Sequence, residues 1–375
     1  MYAPASAMRA AQAPAAPRVT RSPALPLRRR CCAPPRVFTG GGGSAALDDE
    51  NYLPTVDISL AAVSQGKRIG SGSYGDVFLG VVEDKAGGEG QPVVLKRCKV
   101  GLNARRFFRC EAATWRRLRG NAGLAPFLGV AGADAYLVWR NCGLTTLEAV
   151  LARRDARSRA EPLGLHGLAD ALDVATGEAA LRALARRLLA AAAAVHAAGV
   201  VHRDIKPANV LLCDDGGDVR MLDLGAAADL ATGVNYDADE AIFDPTYGPP
   251  EQFLEFPEQA VGRGVLAASL GWRLAEPDRF DAFSCGMVLL CAGVPYMRAG
   301  DRIRRVKAAL AGGDLSLQAW RDRLPGVAQP DFGLLDADGG AGWELLCGLL
   351  EAQPEQRWGL PKALRHRFAQ EPTAA

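Results

Sequence analysis

Two short segments in the second half of the chain carry residues whose types and spacing suit phosphoryl transfer. Residues 202–209 read HRDIKPAN and hold a carboxylate at Asp204, a lysine at Lys206 and an amide at Asn209. A second motif, DLG, begins at Asp223, 14 residues after Asn209. A carboxylate can orient a substrate hydroxyl, a lysine can stabilise a transferred phosphoryl group, and carboxylate and amide oxygens bind Mg²⁺. Both motifs in this order favour a catalyst that uses ATP and Mg²⁺, with Asp204, Lys206 and Asn209 as catalytic residues and Asn209 and Asp223 as metal ligands.

A glycine-rich segment upstream predicts a binding site for the phosphates of ATP. Residues 69–78 read IGSGSYGDVF, and glycines allow backbone N–H groups to approach phosphate oxygens without a Cβ in the way. A dinucleotide-binding turn is the alternative, but it needs a helix directly after the glycines, whereas residues 77–82 (VFLGVV) favour a strand. The residues expected to contact ATP here are Ile69, Gly70, Gly72, Gly75 and Val77.

Lys96 ends the β-branched run VVLK and is the expected lysine partner of the phosphates. Glu111 lies 15 residues later, in a segment of helical composition, and is the only acidic residue between Lys96 and Asp134. This isolation predicts an ion pair that aligns Lys96 on the phosphates. The alternative, a solvated charge on a helix surface, would predict several acidic residues among the arginines of that segment.

Length and charge restrict the organisation of the chain. Its 375 residues could form two medium domains or one larger bilobal domain. Residues 1–47 contain seven arginines and no acidic residue, so the remainder has a net charge of −5 when the whole chain has +2. The acidic remainder gives no support to nucleic-acid binding. The arginine-rich segment is typical of an organelle transit peptide, with a disordered tail of no targeting function as the alternative.

The sequence predicts neither a transmembrane helix nor a metal cluster of cysteines. The apolar run of residues 282–297 is shorter than a bilayer span. Nine cysteines form no C-x-x-C pair, and the four histidines are scattered among them. Residues 336–340 (DADGG) begin like a calcium loop, but the twelfth position is Cys347 where such a loop needs glutamate, so a turn is expected.

In their order, these motifs resemble those of eukaryotic-type protein kinases over residues 66–368. The resemblance implies an α+β, bilobal protein-kinase fold, with a small β-rich N-lobe that carries one helix and a larger helical C-lobe. It implies a protein substrate, with ATP and Mg²⁺ as cosubstrate and cofactor. Lys206, two residues after Asp204, matches the serine/threonine form of the catalytic loop.

The same resemblance implies three structural residues and a domain layout. Asp281, which begins DAFSCG, matches an aspartate that braces the catalytic loop. Glu251, which ends YGPPE, matches a glutamate that pairs with a buried arginine, here Arg357. The implied layout is a transit or disordered segment at 1–46, a linker at 47–65, the N-lobe at 66–140, the C-lobe at 141–368 with an insertion at about 252–280, and a tail at 369–375.

Longer strings are similar to the thylakoid state-transition kinase family of plants and green algae. They are LDLGAAADL from Leu222, GVNY from Gly233, DPTY from Asp244, PDRFD from Pro277 and DGGAGWELL from Asp338. The similarity implies a chloroplast kinase, in the stroma or on the stromal face of the thylakoid, that acts on light-harvesting or photosystem II proteins. Family members have a membrane span and two spaced cysteines before the kinase domain, whereas here only the adjacent Cys31 and Cys32 precede it.

Other functions remain as alternatives. A pseudokinase that acts as a scaffold on the same fold would be favoured by loss of Lys96, Asp204 or Asp223, and all three are present. A small-molecule phosphotransferase would lack Lys206 in this place. A serine/threonine kinase with an unrelated plastid substrate is a further alternative.

The 30 residues from Glu251 to Asp281 mix apolar residues with arginines, and two interpretations stand beside each other. The segment packs within the C-lobe, or it forms a docking patch for a membrane-embedded substrate and gives the chain a peripheral membrane contact.

Overall fold

The computed structural model describes residues 56–72, 75–83, 88–133, 135–152, 164–214, 216–299, 301–312, 316–324 and 330–371. The predicted transit segment, residues 47–55 of the predicted linker and a charged segment at 153–161 lie outside the described residues. The described part of residues 43–375 forms one compact unit.

A five-stranded antiparallel sheet forms the first half of this unit. Its strands are β1 (Val63–Ser71), β2 (Gly75–Val82), β3 (Gln91–Cys98), β4 (Phe127–Ala131) and β5 (Tyr136–Arg140), in the order β1-β2-β3-β5-β4. Alternation along β3 places Val93 and Leu95 in the core, as expected for a strand with one buried face. The glycine-rich segment therefore lies in a β-hairpin, as its sequence predicts.

One helix, α1 (Leu102–Arg117), packs on this sheet. Its apolar residues recur at helical spacing, so that Phe108, Ala112 and Trp115 point into the core. Trp115 packs against Phe127 and Trp139 of the sheet, with ring centroids 5.6 and 5.3 Å away. This packing fixes the helix face that carries Glu111.

The second half is mostly helical. Its longest helix, α4 (Gly177–His196), begins where the Thr176 side chain accepts a hydrogen bond from the Ala179 N–H, and it is rich in alanine and leucine. The other helices are α2 (Leu147–Leu151), α3 (Gly164–Leu172), α5 (Val265–Ala275), α6 (Asp278–Gly293), α7 (Arg302–Ala311), α8 (Leu317–Asp322), α9 (Gly333–Leu349) and α10 (Leu360–Arg365). Every residue of α6 except Arg279 is buried, so α6 is the central helix of this half.

Short strands hold the loops that carry the phosphotransfer motifs. They are β6 (Thr145–Thr146), β7 (Val200–Val201), β8 (Val210–Leu212), β9 (Val219–Met221) and β10 (Ala228–Asp229). The 202–209 motif connects β7 to β8, and Asp223 follows β9. Strands β8 and β9 pair with Val210 opposite Met221, and the Leu222 N–H donates to the Asn209 carbonyl at 2.9 Å, so the end of the first motif lies beside the start of the second.

Residues 252–280 are structured rather than extended. Leu254 and Phe256 lie in a buried cluster with Tyr236 and Phe280, whereas one face of α5 is exposed. The buried cluster agrees with packing inside this part of the protein, and the exposed face of α5 is the part of the segment that could form a docking patch. Helix α9 is interrupted at residues 337–340, where three residues have positive φ, in agreement with the predicted turn.

Of the helices that the structure describes, none combines the length and the apolar character that a membrane crossing requires.

Candidate active site

A buried ion pair joins the sheet to its helix. The Nζ of Lys96 on β3 lies 2.9 and 2.8 Å from the two carboxylate oxygens of Glu111 on α1. The Glu111 side chain is 3% exposed and that of Lys96 12% exposed. Trp115, one turn along α1, donates a further hydrogen bond to Glu111 at 3.4 Å. The pairing expected from the isolation of Glu111 in the sequence is present in the structure.

The register of the hairpin places the glycine-rich segment over Lys96. Val77 of β2 lies opposite Lys96 of β3 and opposite Gly70 of β1. A Cβ on Gly75 would lie 2.9 Å from Cγ of Lys96 and 3.1 Å from the Arg97 carbonyl oxygen, so a side chain there would displace the lysine. Gly75 is therefore required by close packing as well as by access of phosphates to the backbone.

The tip of the hairpin closes through a backbone contact. The Gly72 N–H donates to the Gly75 carbonyl at 2.8 Å, and the two residues between them lie outside the described part. Ile69 at the end of β1 is 42% exposed, and Val77 is half-buried. An apolar, partly exposed pair on the hairpin is suited to contact a nucleotide base.

Asp223 reaches the same lysine from the second half of the unit. Its Oδ1 lies 3.0 Å from Lys96 Nζ and accepts a hydrogen bond from the Gly225 N–H at 3.2 Å. Asp223 has φ of +59°, a left-handed conformation that costs a non-glycine residue about 1–3 kcal/mol. Its side chain is 43% exposed, so this carboxylate is open to a ligand while Glu111 is not.

The 202–209 loop gathers its polar groups around Asp204. Lys206 Nζ lies 3.0 Å from Asp204 Oδ1, and Asn209 Nδ2 donates to Asp204 Oδ2 at 2.8 Å and to its carbonyl at 2.9 Å. Asp244, from the segment after Asp223, lies 3.4 Å from Lys206 Nζ. The three residues expected to be catalytic therefore form one hydrogen-bonded group.

Burial and neighbouring charges shift the pKa values of Lys96, Glu111 and Asp204 in opposite directions. Burial alone would lower the pKa of Lys96, but Glu111 and Asp223 outweigh it and hold that pKa above its usual range. Burial raises the pKa of Glu111 to about 7, although Lys96 opposes the shift. Burial also raises the pKa of Asp204, with Lys206 in opposition, which makes this carboxylate a better proton acceptor than an exposed one.

Asp281 of α6 binds the backbone of the 202–209 loop. Its Oδ2 accepts from the His202 N–H at 2.7 Å, and its Oδ1 accepts from the Arg203 N–H at 2.9 Å. The same Oδ2 lies 2.8 Å from Nε2 of His196 at the end of α4. These contacts fix the backbone at Arg203, whose φ is +65°.

Glu251 and Arg357 form the other predicted structural contact. The Arg357 guanidinium contacts the Glu251 carboxylate at 2.6 and 3.0 Å, a bidentate pair, and its side chain is fully buried. It also donates to the carbonyls of Glu351, Arg279 and Ala352. This arginine connects the segment after the active site to the start of α6 and the end of α9.

Sequence reasoning assigned no role to Asn235, which the structure places at the centre of the segment after Asp223. Its Nδ2 donates to the carbonyls of Gly225 and Ala227, at 3.2 and 2.9 Å, and its own carbonyl accepts from Arg203 at 2.7 Å. Arg117 of α1 pairs with Asp229 in the same segment. Because Asn235 bonds to backbone carbonyls, no side-chain partner in the sequence could have revealed it. The structure shows it in the left-handed conformation, which asparagine adopts more readily than most residues.

The donor set suits a hard cation. Within the described part, the Asn209 amide forms both of its hydrogen bonds through Nδ2, which leaves its oxygen for another ligand, and the exposed Asp223 carboxylate adds oxygens of the same class. Oxygen ligands of this kind bind Mg²⁺ together with phosphate oxygens. The cleft can therefore hold a polyphosphate with its cation, between the hairpin and these two residues.

Comparison with known proteins agrees with this geometry. The family model described as "Protein kinase domain" matches residues 63–369. The serine/threonine-protein kinase STN7, chloroplastic, of Arabidopsis thaliana is 30% identical over 319 residues, which cover 81% of this chain and 56% of that protein. The chloroplastic kinase STN8 of the same plant is 29% identical over 345 residues, covering 80% of this chain and 69% of that protein.

A solved structure shares the architecture as well. The crystal structure of an Stt7 homologue from Micromonas algae, soaked with ATP, superposes with a TM-score of 0.70 at 29% sequence identity. The match covers 90% of this chain and 99% of that one. The bilobal α+β fold predicted from the sequence is thereby confirmed.

Proposed function

The chain belongs to the protein kinase family, and from that premise we propose that it is a plastid kinase that phosphorylates thylakoid proteins. Serine/threonine kinase activity follows from the family and from its similarity to STN7 and STN8. The observation that carries the catalytic part of the proposal is the Lys96 network, in which one ammonium contacts both Glu111 and Asp223. That arrangement supports a catalyst over a pseudokinase scaffold, because the lysine and both carboxylates are present and in contact.

Each residue has a role that its position allows. Gly70, Gly72 and Gly75, with Ile69 and Val77, cover the nucleotide, and Lys96 binds its phosphates while Glu111 holds the lysine in place. The burial of Glu111 supports this role, because a carboxylate shielded from water attracts the Lys96 ammonium more strongly than a solvated one.

Asp204 accepts the proton of the substrate hydroxyl and orients it for in-line attack. Lys206, which contacts Asp204, stabilises the transferred phosphoryl group. Asn209 and Asp223 would hold Mg²⁺, whose charge offsets the negative charge that develops on the phosphate oxygens. Asp281, Glu251 and Arg357 position these residues without touching substrate.

The proposed location and substrate rest on similarity and on the N-terminal composition. Two relatives are chloroplastic by name, and residues 1–47 have the acid-free, arginine-rich composition of a transit peptide. We take residues 1–46 as that peptide, 66–140 and 141–368 as the two lobes, and light-harvesting or photosystem II proteins as the substrates. A serine/threonine kinase with another plastid substrate is the second candidate.

The experiment offers the purified kinase two sets of plastid proteins. Washed thylakoid membranes and soluble stromal proteins are incubated separately with labelled ATP and Mg²⁺, and Asp204→Asn serves as the inactive control. We expect labelled bands in thylakoids that Asp204→Asn does not produce. Labelling confined to stromal proteins would contradict the thylakoid substrate but not the kinase activity.

A further inference from the structure

A cavity of about 330 Å³ lies between the end of α4, helix α5, the start of α6 and the start of α10. Its volume is comparable to the smaller ligand-binding sites, which begin at about 300 Å³. None of the described residues that line it belongs to the nucleotide or catalytic groups. The cavity is therefore a candidate for a second binding site, and its polar groups indicate the ligand.

The first polar group is the ring of His196, whose side chain is 6% exposed. Its Nε2 lies 2.8 Å from the Asp281 carboxylate and donates a hydrogen bond to it. The other ring nitrogen, Nδ1, is buried with no hydrogen-bond partner among the described residues. A buried polar atom without a partner is costly unless a ligand or water supplies one.

The second polar group is the carboxylate of Asp278, a residue that is 7% exposed. Its Oδ2 accepts a hydrogen bond from the Leu360 N–H at 3.2 Å, and its place in the first turn of α6 favours a negative charge. No lysine or arginine of the described part forms a salt bridge with it. Backbone contacts thus account for one carboxylate oxygen, while the negative charge has no cationic partner.

The remaining polar and aromatic groups of the lining also favour a ligand that donates hydrogen bonds and carries a positive charge. Ser269 Oγ donates its hydrogen to the Val265 carbonyl at 2.8 Å, so its lone pairs remain to accept. The Trp272 ring lies 5.2 Å from the His196 ring and presents a π-system, which attracts cations. The described residues that line the cavity include no lysine or arginine.

From these observations we propose that the cavity binds an ammonium or guanidinium group, with Asp278, His196 and Trp272 as its recognition residues. The lining accepts hydrogen bonds, carries one negative charge and offers an aromatic face. A ligand with several N–H donors and a positive charge satisfies all three properties, whereas a neutral ligand leaves the charge of Asp278 without a partner and an anionic ligand is repelled by it. The group can come from a free amine or from an arginine or lysine side chain of a protein.

The test follows the indole N–H signals of the full ¹⁵N-labelled chain, with the Trp272 signal assigned by Trp272→Phe. Agmatine represents a free guanidinium compound, N-acetyl-Gly-Arg-Gly-amide represents a protein side chain, and the citrulline tripeptide is the neutral control. We expect a saturable shift of the Trp272 signal with agmatine or the arginine peptide and none with the citrulline peptide. Tighter binding of the peptide would identify a protein side chain as the source, and tighter binding of agmatine a free amine.

Two variants of the cavity and one control variant show whether the cavity is responsible. Asp278→Asn keeps the acceptor for Leu360 but removes the charge, and it should weaken binding about tenfold or more, because hydrogen bonds to charged groups are strong. Asp322→Asn removes one exposed charge outside the cavity and should leave binding unchanged. Ser269→Lys supplies a tethered ammonium at an exposed position and should abolish binding. Equal shifts with the citrulline peptide, or undiminished binding in Asp278→Asn and Ser269→Lys, would overturn the proposal.

Discussion

Lys96 lies between two carboxylates that have different environments. Glu111 is buried and serves to hold the lysine, whereas Asp223 is partly exposed and faces the cleft. The left-handed backbone at Asp223 and Arg203 is maintained by surrounding hydrogen bonds, as expected where strain is located at a functional site. At the residue scale, charge placement rather than side-chain identity alone distinguishes the roles of the three acidic groups, Glu111, Asp223 and Asp204.

Replacing Lys96 by Met should remove phosphotransfer and preserve the fold. The substitution deletes the phosphate-binding charge, for which a loss of ~10²-fold or more in kcat/KM is expected. Glu111 can take up a proton when the ammonium is gone, because its pKa is already about 7, and this limits the cost in stability. Peptide phosphorylation and a thermal melt measure the two effects. Lys67→Met, an exposed lysine on β1, is the matched control, and full activity in Lys96→Met would refute the assignment.

The ion pair also predicts an acid limb in the pH profile. Glu111 must be anionic to hold Lys96, and burial places its pKa at about 7, so kcat/KM for ATP should decline as pH falls through about 7. Trp115→Phe removes a hydrogen bond that lowers this pKa, so the decline should move to higher pH. Profiles are measured at saturating Mg²⁺ with a peptide that does not titrate in this range. An acid limb that stays in place in Trp115→Phe would count against Glu111 as its source.

The motif residues could be predicted from the sequence because their spacing is short and their chemistry is distinctive. Asp204, Lys206 and Asn209 lie within six residues, and Lys206 and Asn209 both contact Asp204 directly. Asn235 could not be predicted in the same way, because its partners are backbone carbonyls. The cavity beside His196 depends on four helices that meet only in the folded chain.

At the scale of elements, the segment that follows Asp223 is fixed by contacts within the chain. Arg203 donates to the carbonyls of Ala226 and Asn235 and is 1% exposed, so its side chain is committed to the backbone of this segment. The Tyr236 hydroxyl donates to the carbonyl of Leu254, which connects the segment to the buried part of residues 252–280. These hydrogen bonds hold the segment in place in a chain that carries no phosphoryl group.

Helix α5 shows how far sequence could resolve the two interpretations of the 252–280 segment. Composition alone did not separate buried from exposed apolar residues, since helical phase decides which face turns inward. In the structure Ala268 and Gly271 face the core, while Leu266, Leu270 and Leu274 are 79%, 59% and 80% exposed. The exposed leucines recur every four residues and form a stripe on one face.

The leucine stripe predicts a selective loss of activity on membrane substrates. Substituting Leu266, Leu270 and Leu274 by Gln should leave phosphorylation of a free peptide unchanged, because these side chains do not support the core. Phosphorylation of thylakoid proteins should fall about tenfold, since burying one leucine already contributes ~1.5–3 kcal/mol. Leu60→Gln with Val100→Gln, exposed elsewhere, is the matched control. Equal loss on both substrates would show a structural role, and no loss on either would dismiss the patch.

At the scale of the whole molecule, the charge distribution separates a basic N-terminal segment from a mildly acidic remainder. Residues 1–47 carry all of the excess positive charge, and the family match begins only at residue 63. The proposed transit peptide would explain both properties, because the composition of such a peptide is selected for import rather than for a packed core.

Import predicts a shortened mature protein. N-terminal sequencing of the protein recovered from plastids should begin between about Ala33 and Asp49, because the acid-free region ends there. A fluorescent fusion that retains residues 1–55 should accumulate in plastids, and one that lacks them should not. Recovery of an intact Met1 end from cells would contradict the targeting proposal.

The most direct test of the account is phosphoamino-acid analysis of thylakoid proteins labelled by the purified chain. Because Lys206 contacts Asp204 in the serine/threonine form of the loop, the label should appear as phosphothreonine or phosphoserine. The same incubation with Asp204→Asn should leave the proteins unlabelled. Dominant phosphotyrosine, or labelling by Asp204→Asn equal to that by the unaltered chain, would contradict the central claim.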